Sequence, residues 1–156
     1  IRDSPYFEHI KEVVALVKIS STKKNDSIII ASYLHDVVED RKATRKEIKD
    51  LFGHDVVELV EEMTDKPFCS EAERRSNQIM AAKIMSIDAS LIKLADKISN
   101  LENLFHDPPI SWSKKEIIDY IKWGQEVVDN LPHKDIKLMK RFDKICFQLN
   151  KKLSSN

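Results

Sequence analysis

Three segments of this chain carry the same helix-opening signature: Thr44 with Glu47, Ser70 with Glu73, and Ser113 with Glu116. In each, a hydroxyl residue precedes a glutamate by three positions, so the side chains and backbone N–H groups of a helix start can satisfy one another. Each box commits the residues after it to a helix. The chain has only two glycines in 156 residues, and no segment alternates apolar and polar residues convincingly enough for a strand. The expectation is an all-α fold: one domain, residues 1–156, built as a helical bundle of about eight helices.

Ser4 and Pro5 read as a cap and first turn, opening a helix through about Lys18. The polar stretch from Ser20 to Asn25 reads as a loop. A second helix is expected from Asp26 to Asp40. Its run of Ile28, Ile29, Ile30 and Ala31, with Tyr33, Leu34, Val37 and Val38, is apolar almost all round, which predicts a central, buried helix. Further helices are expected after Thr44 to Phe52–Gly53, from His54 to Met63, after Ser70 to Met85, after a cap at Asp88 to Asn103, after Ser113 to Asn130, and after Pro132 to Lys152.

Lysine plus arginine and aspartate plus glutamate both number 26, so the formal net charge is zero. Nothing global points to a nucleic-acid polymer or a membrane surface, and anion recognition must come from local cations. Cys69 and Cys146 lack metal-ligand spacing and read as free thiols of a reducing, cytoplasmic compartment. No apolar run reaches the roughly 18 residues of a membrane span, and no signal peptide is visible. The first residue is Ile1 rather than Met, so an N-terminal piece is expected to be missing from this numbering.

The chemistry concentrates in His9, the adjacent pair His35 and Asp36, and Asp96. Imidazole nitrogens and carboxylate oxygens brought from separate helices suit a divalent transition metal. Glu39 and Asp40 follow closely. On a continuous helix, His35 and Glu39, and Asp36 and Asp40, are four apart and share a face. So many acids on an oily helix are costly to bury unless a cation pairs with them. A metal with acidic neighbours can activate water against a phosphate ester or anhydride. Any one of these acids alone reads equally well as a cap or surface ion pair; the whole set does not. His54, His106 and His133 fall outside the pattern and read as surface or cap residues. Tyr120 and Trp123 are three apart and read as core packing. Lys114, Lys115 and Glu116 read as a solvated helix start.

The tetrad resembles the H…HD…D signature of the HD superfamily of metal-dependent phosphohydrolases. The match extends further. Pro5-Tyr6-Phe7-Glu8-His9 is similar to the PYxxH segment of RelA/SpoT hydrolase domains, and Leu34 to Asp40 to their LHDxxED motif. Phe52-Gly53 with Val56, Leu59, Val60, Met63 and Thr64 resembles their FGxxVxxLVxxVT stretch. Ile92 to Leu101 resembles their KLADxxxNL block. Trp112-Ser113, Tyr120, Trp123, Val127 and Val128 resemble the small stand-alone SpoT-like hydrolases, so the similarity spans about residues 5 to 131. The synthetase domain of the long RelA/SpoT proteins is not expected within these 156 residues.

This resemblance implies an HD-domain bundle with one Mn²⁺ held by His9, His35, Asp36 and Asp96. The ligand types also suit Fe, Zn, Co or Ni. It implies hydrolysis of the 3′-pyrophosphate of guanosine tetra- or pentaphosphate, the alarmone ppGpp or pppGpp, to GDP or GTP and pyrophosphate. Glu39 and Asp40 match the catalytic pair, and Asn100 a substrate contact; Lys97 is a candidate phosphate partner. The basic RKHRG-like segment that precedes the PY motif in the family is absent here, leaving Arg2 as the cation near that region. Ser99 and Asn103 depart from the family's usual residues and are expected to shape the substrate pocket. Arg74 and Arg75 are further candidate phosphate contacts. The alternative within enzymes is an HD phosphatase acting on NADPH or a nucleoside monophosphate. The alternative outside them is a non-catalytic nucleotide-sensing module, which the intact metal and acid set disfavours.

Overall fold

The structure, a computed structural model, describes residues 5–67 and 70–155. Arg2, Ser4 and Cys69 lie outside the described residues. In chain order the helices are α1 (Pro5–Ile19), α2 (Asp26–Leu34), α3 (Arg45–Phe52), α4 (His54–Met63), α5 (Glu71–Ala82), α6 (Ile87–His106), α7 (Lys114–Asp129) and α8 (Ile136–Ser154). The described residues contain no strand.

All three capping boxes form. The Thr44, Ser70 and Ser113 hydroxyls accept the backbone N–H of Glu47, Glu73 and Glu116, and each glutamate accepts the N–H of its cap residue. Between α3 and α4 the chain turns at Gly53, where φ is +90°, a conformation that costs glycine little and other residues considerably more. Several boundaries differ from expectation. Helix α6 starts at Ile87, capped by Ser86, whose Oγ accepts the Ala89 N–H at 3.1 Å; Asp88 sits inside the first turn. Helix α5 stops at Ala82 rather than Met85.

The central helix is α6, not α2. Every residue from Ala89 to Ser99 is buried, and α6 packs against α1, α2, α4, α7 and α8. Helix α2 buries Ile28, Ala31 and Ser32 but leaves Tyr33 exposed. The reversal has a physical cause. Lys93, Asp96 and Lys97 are buried together, so α6 goes into the core whole. Each fully buried Leu or Ile there, such as Leu91, Ile92, Leu94 and Ile98, contributes about 1.5–3 kcal/mol.

Helix α2 also ends six residues early. Residues 35–41 form turns rather than a continued helix. The Val37 N–H reaches back three residues to the Leu34 carbonyl, and the His35 ring takes the Ser32 carbonyl at 2.8 Å. One α-type bond survives, from the Asp40 N–H to the Asp36 carbonyl at 2.9 Å. The segment closes with Arg41 at φ +55°, bonding Val38, while Lys42 bonds Val37. That paired closure is a Schellman motif, here with an arginine in the left-handed region where glycine is usual.

Candidate metal centre

Helix α1 brings His9 to the face that packs on α6, and α6 supplies Asp96. His35 stands at the C-terminal end of α2, with Asp36 beside it in the turn. His9 Nε2 lies 3.3 Å from Asp96 Oδ1 and 3.9 Å from Asp36 Oδ2. His35 Nε2 lies 3.2 Å from Asp36 Oδ2 and 3.8 Å from Asp96 Oδ1. The two imidazoles meet edge to face, centroids 5.4 Å apart. One ligand atom each from His9, His35 and Asp96 falls within 4.8 Å of the others. The turn therefore does not scatter the expected tetrad.

The donors fit a divalent cation. His35 is fully buried, and its Nδ1 must carry the hydrogen because the Ser32 carbonyl only accepts. In the neutral ring Nε2 then presents a lone pair. That nitrogen is buried without a hydrogen-bond partner, although Asp36 Oδ2 is 3.2 Å away. A buried polar atom left so costs about 1–3 kcal/mol. Burial works against the charged form of His35, but the nearby carboxylates of Asp36 and Asp96 outweigh it and raise its pKa. Burial also pushes the Asp96 carboxyl up, and here Lys97, His9, Lys93 and His35 prevail, holding it well below the usual range. Asn100, one turn along α6, donates to Asp96 Oδ1 at 3.0 Å.

Glu39 and Asp40 sit in the turn after Asp36 and differ in surroundings. Burial, then the charge of Asp65, raises the Glu39 pKa, although the Asp65 N–H donates to its Oε2 at 3.3 Å. Glu39 opens onto a cavity of about 360 Å³ that Arg41, Thr64, Lys66 and Arg74 also line. Asp40 accepts the Tyr6 phenol and lies 3.4 Å from Lys42 Nζ.

The residues expected to touch substrate divide. Asn100 borders a second cavity of about 180 Å³ with Asn103, Trp112 and Tyr120. Ser99 is fully buried, its hydroxyl between His9 and Glu12. Lys97 faces inward: its Nζ is 3.5 Å from Asp96 Oδ2, donates to Gln78 Oε1 at 3.1 Å and lies 4.1 Å from the Trp123 ring centroid. It is neither solvated nor aimed at open space, because Asp96, Gln78 and Trp123 replace its hydration. Arg74 pairs with Glu71 and Asp65, and Arg75 with Glu71. Arg2 lies outside the described residues.

Three participants escaped the sequence reading. Glu12 is three residues after His9 on α1, a spacing that could have flagged it. Gln78 bridges Lys97 and Asp65, with Nε2 2.5 Å from Asp65 Oδ2. Asp65 is a loop acid with no local pattern to reveal it. No described helix is long and apolar enough to cross a membrane.

The family described as HD domain matches residues 1–117. A Drosophila melanogaster protein named guanosine-3′,5′-bis(diphosphate) 3′-pyrophosphohydrolase MESH1 is 36% identical over 147 residues, 94% of this chain and 82% of that one. The Homo sapiens protein of the same name is 35% identical over 128 residues, 82% of this chain and 72% of that one. A solved structure described as a metazoan ortholog of SpoT that hydrolyzes ppGpp superposes with a TM-score of 0.86 at 37% identity. It covers 92% of this chain and 81% of its own.

Proposed function

Because this chain belongs to the HD-domain family and, within it, to the MESH1-type pyrophosphohydrolases, we propose that it hydrolyses the 3′-pyrophosphate of ppGpp and pppGpp. Water is added across the bond between the ribose 3′ oxygen and the pyrophosphate, giving GDP or GTP and free pyrophosphate. One observation carries the reading. His9, His35, Asp36 and Asp96 converge within a few ångströms in a chain 36% identical, over nearly its whole length, to a relative so named. We place the reaction in the cytoplasm, where guanine nucleotides are made and used.

His9, His35, Asp36 and Asp96 would hold one divalent cation, Mn²⁺ in this reading. When bound, such a cation polarises a phosphoryl oxygen and lowers the pKa of water. Glu39 takes the proton of the attacking water at its carboxylate; its raised pKa suits a group that must both accept and release a proton. Asp40 is held by the Tyr6 phenol and orients the water. Asn100 fixes Asp96 through its amide and borders the substrate side. The cavity beyond Glu39 carries Arg41, Lys66 and Arg74, whose positive charges favour phosphate oxygens.

The test is product analysis with ppGpp, NADPH and GMP as parallel substrates, with Mn²⁺ and with EDTA. Metal-dependent formation of GDP and pyrophosphate from ppGpp is expected. Turnover of NADPH or GMP alone would retain the HD chemistry and overturn the substrate.

A further inference from the structure

The Ser99 hydroxyl has one hydrogen, and it goes to Glu12 Oε2 at 2.6 Å. The 2.9 Å contact between Ser99 Oγ and His9 Nδ1 must then be one in which the ring donates. In the neutral ring this leaves Nε2 with its lone pair, and Nε2 is the nitrogen that faces Asp96 and Asp36. We infer that Glu12 and Ser99 are positioning residues that fix His9 in the Nδ1–H tautomer and aim its Nε2 at the bound cation. The inference rests on the reading of His9 as a cation ligand.

The geometry gives each member one job. Glu12 lies three residues after His9 on α1, and Ser99 three residues after Asp96 on α6, so both pairs share a helix face. Asn103, four residues further on, donates to Glu12 Oε2 at 3.2 Å and pins the carboxylate. Ser99 is fully buried, so water does not compete for its hydroxyl. The two histidines are thus set differently. His35 takes its tautomer from the Ser32 carbonyl in the last turn of the helix it caps. His9 takes its tautomer from a contact between α1 and α6, and is a ready ligand only where those helices are docked. Outer partners of this kind orient a ligating imidazole and raise its basicity. Ser99 and Asn103 were expected to shape the substrate pocket; Ser99 is buried against His9 and Glu12, while Asn103 both bonds Glu12 and borders the cavity beside Asn100.

The test uses the metal-free full chain, labelled with ¹⁵N, above the pH at which its imidazoles titrate. Two-bond ¹H–¹⁵N spectra report which nitrogen of His9 carries the hydrogen. The wild type is expected to show Nδ1–H. Ser99→Ala removes the acceptor, and Glu12→Ala frees the Ser99 hydrogen to be donated to Nδ1; both are expected to shift His9 toward Nε2–H. Mn²⁺ titration, read by the electron paramagnetic resonance of free Mn²⁺, should show affinity weakened about 10–100-fold in both variants. Ser99→Thr, which keeps the hydroxyl, should bind as the wild type does. An Nε2–H tautomer in the wild type overturns the inference without reliance on any variant. So does wild-type affinity in Ser99→Ala. His9→Ala separates the two levels: if it binds Mn²⁺ as tightly as the wild type, His9 is not a ligand and the metal reading itself fails, whatever the tautomer.

Discussion

Lys97 lies against the carboxylate of its neighbour Asp96, Nζ to Oδ2 3.5 Å, with both side chains buried in the centre of the bundle. The contact gives Asp96 a counter-charge at Oδ2, although burial lowers the Lys97 pKa, while His9 and His35 approach Oδ1. Removing one partner of a buried pair leaves an uncompensated charge and costs about 3–5 kcal/mol. Lys97→Met is therefore expected to lower the melting temperature sharply in EDTA. A cation at the centre would neutralise the same charge. The rise in melting temperature on adding Mn²⁺ should accordingly be larger in the variant than in the wild type. Equal rises would mean that Lys97 does not balance Asp96.

Glu39 carries the second prediction. Burial and the adjacent Asp65 charge raise its pKa above the ordinary 4.5. A base must be ionised to act, so kcat/KM should fall as pH drops through a midpoint above that value. Asp65→Asn removes the neighbouring charge and should move the midpoint down. Glu39→Gln should cut kcat by about 10²–10⁴-fold while leaving Mn²⁺ affinity near wild type. A full-rate Glu39→Gln enzyme would remove this residue from the chemistry.

Asp135 carries the third, on stability. It caps α8 by accepting the Lys137 and Leu138 N–H groups at 3.1 and 3.0 Å. It also holds the loop after α1 by accepting the Thr22 N–H and hydroxyl at 2.7 and 2.8 Å. Burial alone would raise its pKa, but these donors outweigh it and the folded value lies below 3.8. A depressed carboxyl contributes stability above its unfolded pKa and loses it as pH falls through the lower folded one. Asp135→Ala should cost about 1–3 kcal/mol at neutral pH by urea denaturation. Its deficit against the wild type should shrink as pH falls below about 4. A deficit constant down to pH 2 would contradict the account.

The helices were legible where local chemistry set them. The boxes at Thr44, Ser70 and Ser113 needed only residues three apart, and all three form. The convergence of His9, His35, Asp36 and Asp96 was legible for a related reason: they are few, chemically distinctive, and fall in motifs shared with a known family. Tertiary compensation was not legible. Nothing local showed that Lys93 and Lys97 would be buried, with Asp96 and Gln78 as partners of Lys97. The oily run of α2 suggested fifteen residues of helix, when the His35 ring claims a carbonyl and the chain turns. The burial of Ser99 and Lys97 was not legible either, because helix spacing gives a face but not what lies opposite it.

One divalent cation, held by the four converging residues, would let this chain release pyrophosphate from ppGpp. The measurement is ³¹P NMR of ppGpp with metal-stripped protein, titrated with Mn²⁺. No pyrophosphate signal is expected before metal, and the rate should rise to a plateau at one equivalent. His35→Ala should show no such plateau. Equal pyrophosphate release before and after metal, or an unchanged titration in His35→Ala, would contradict it.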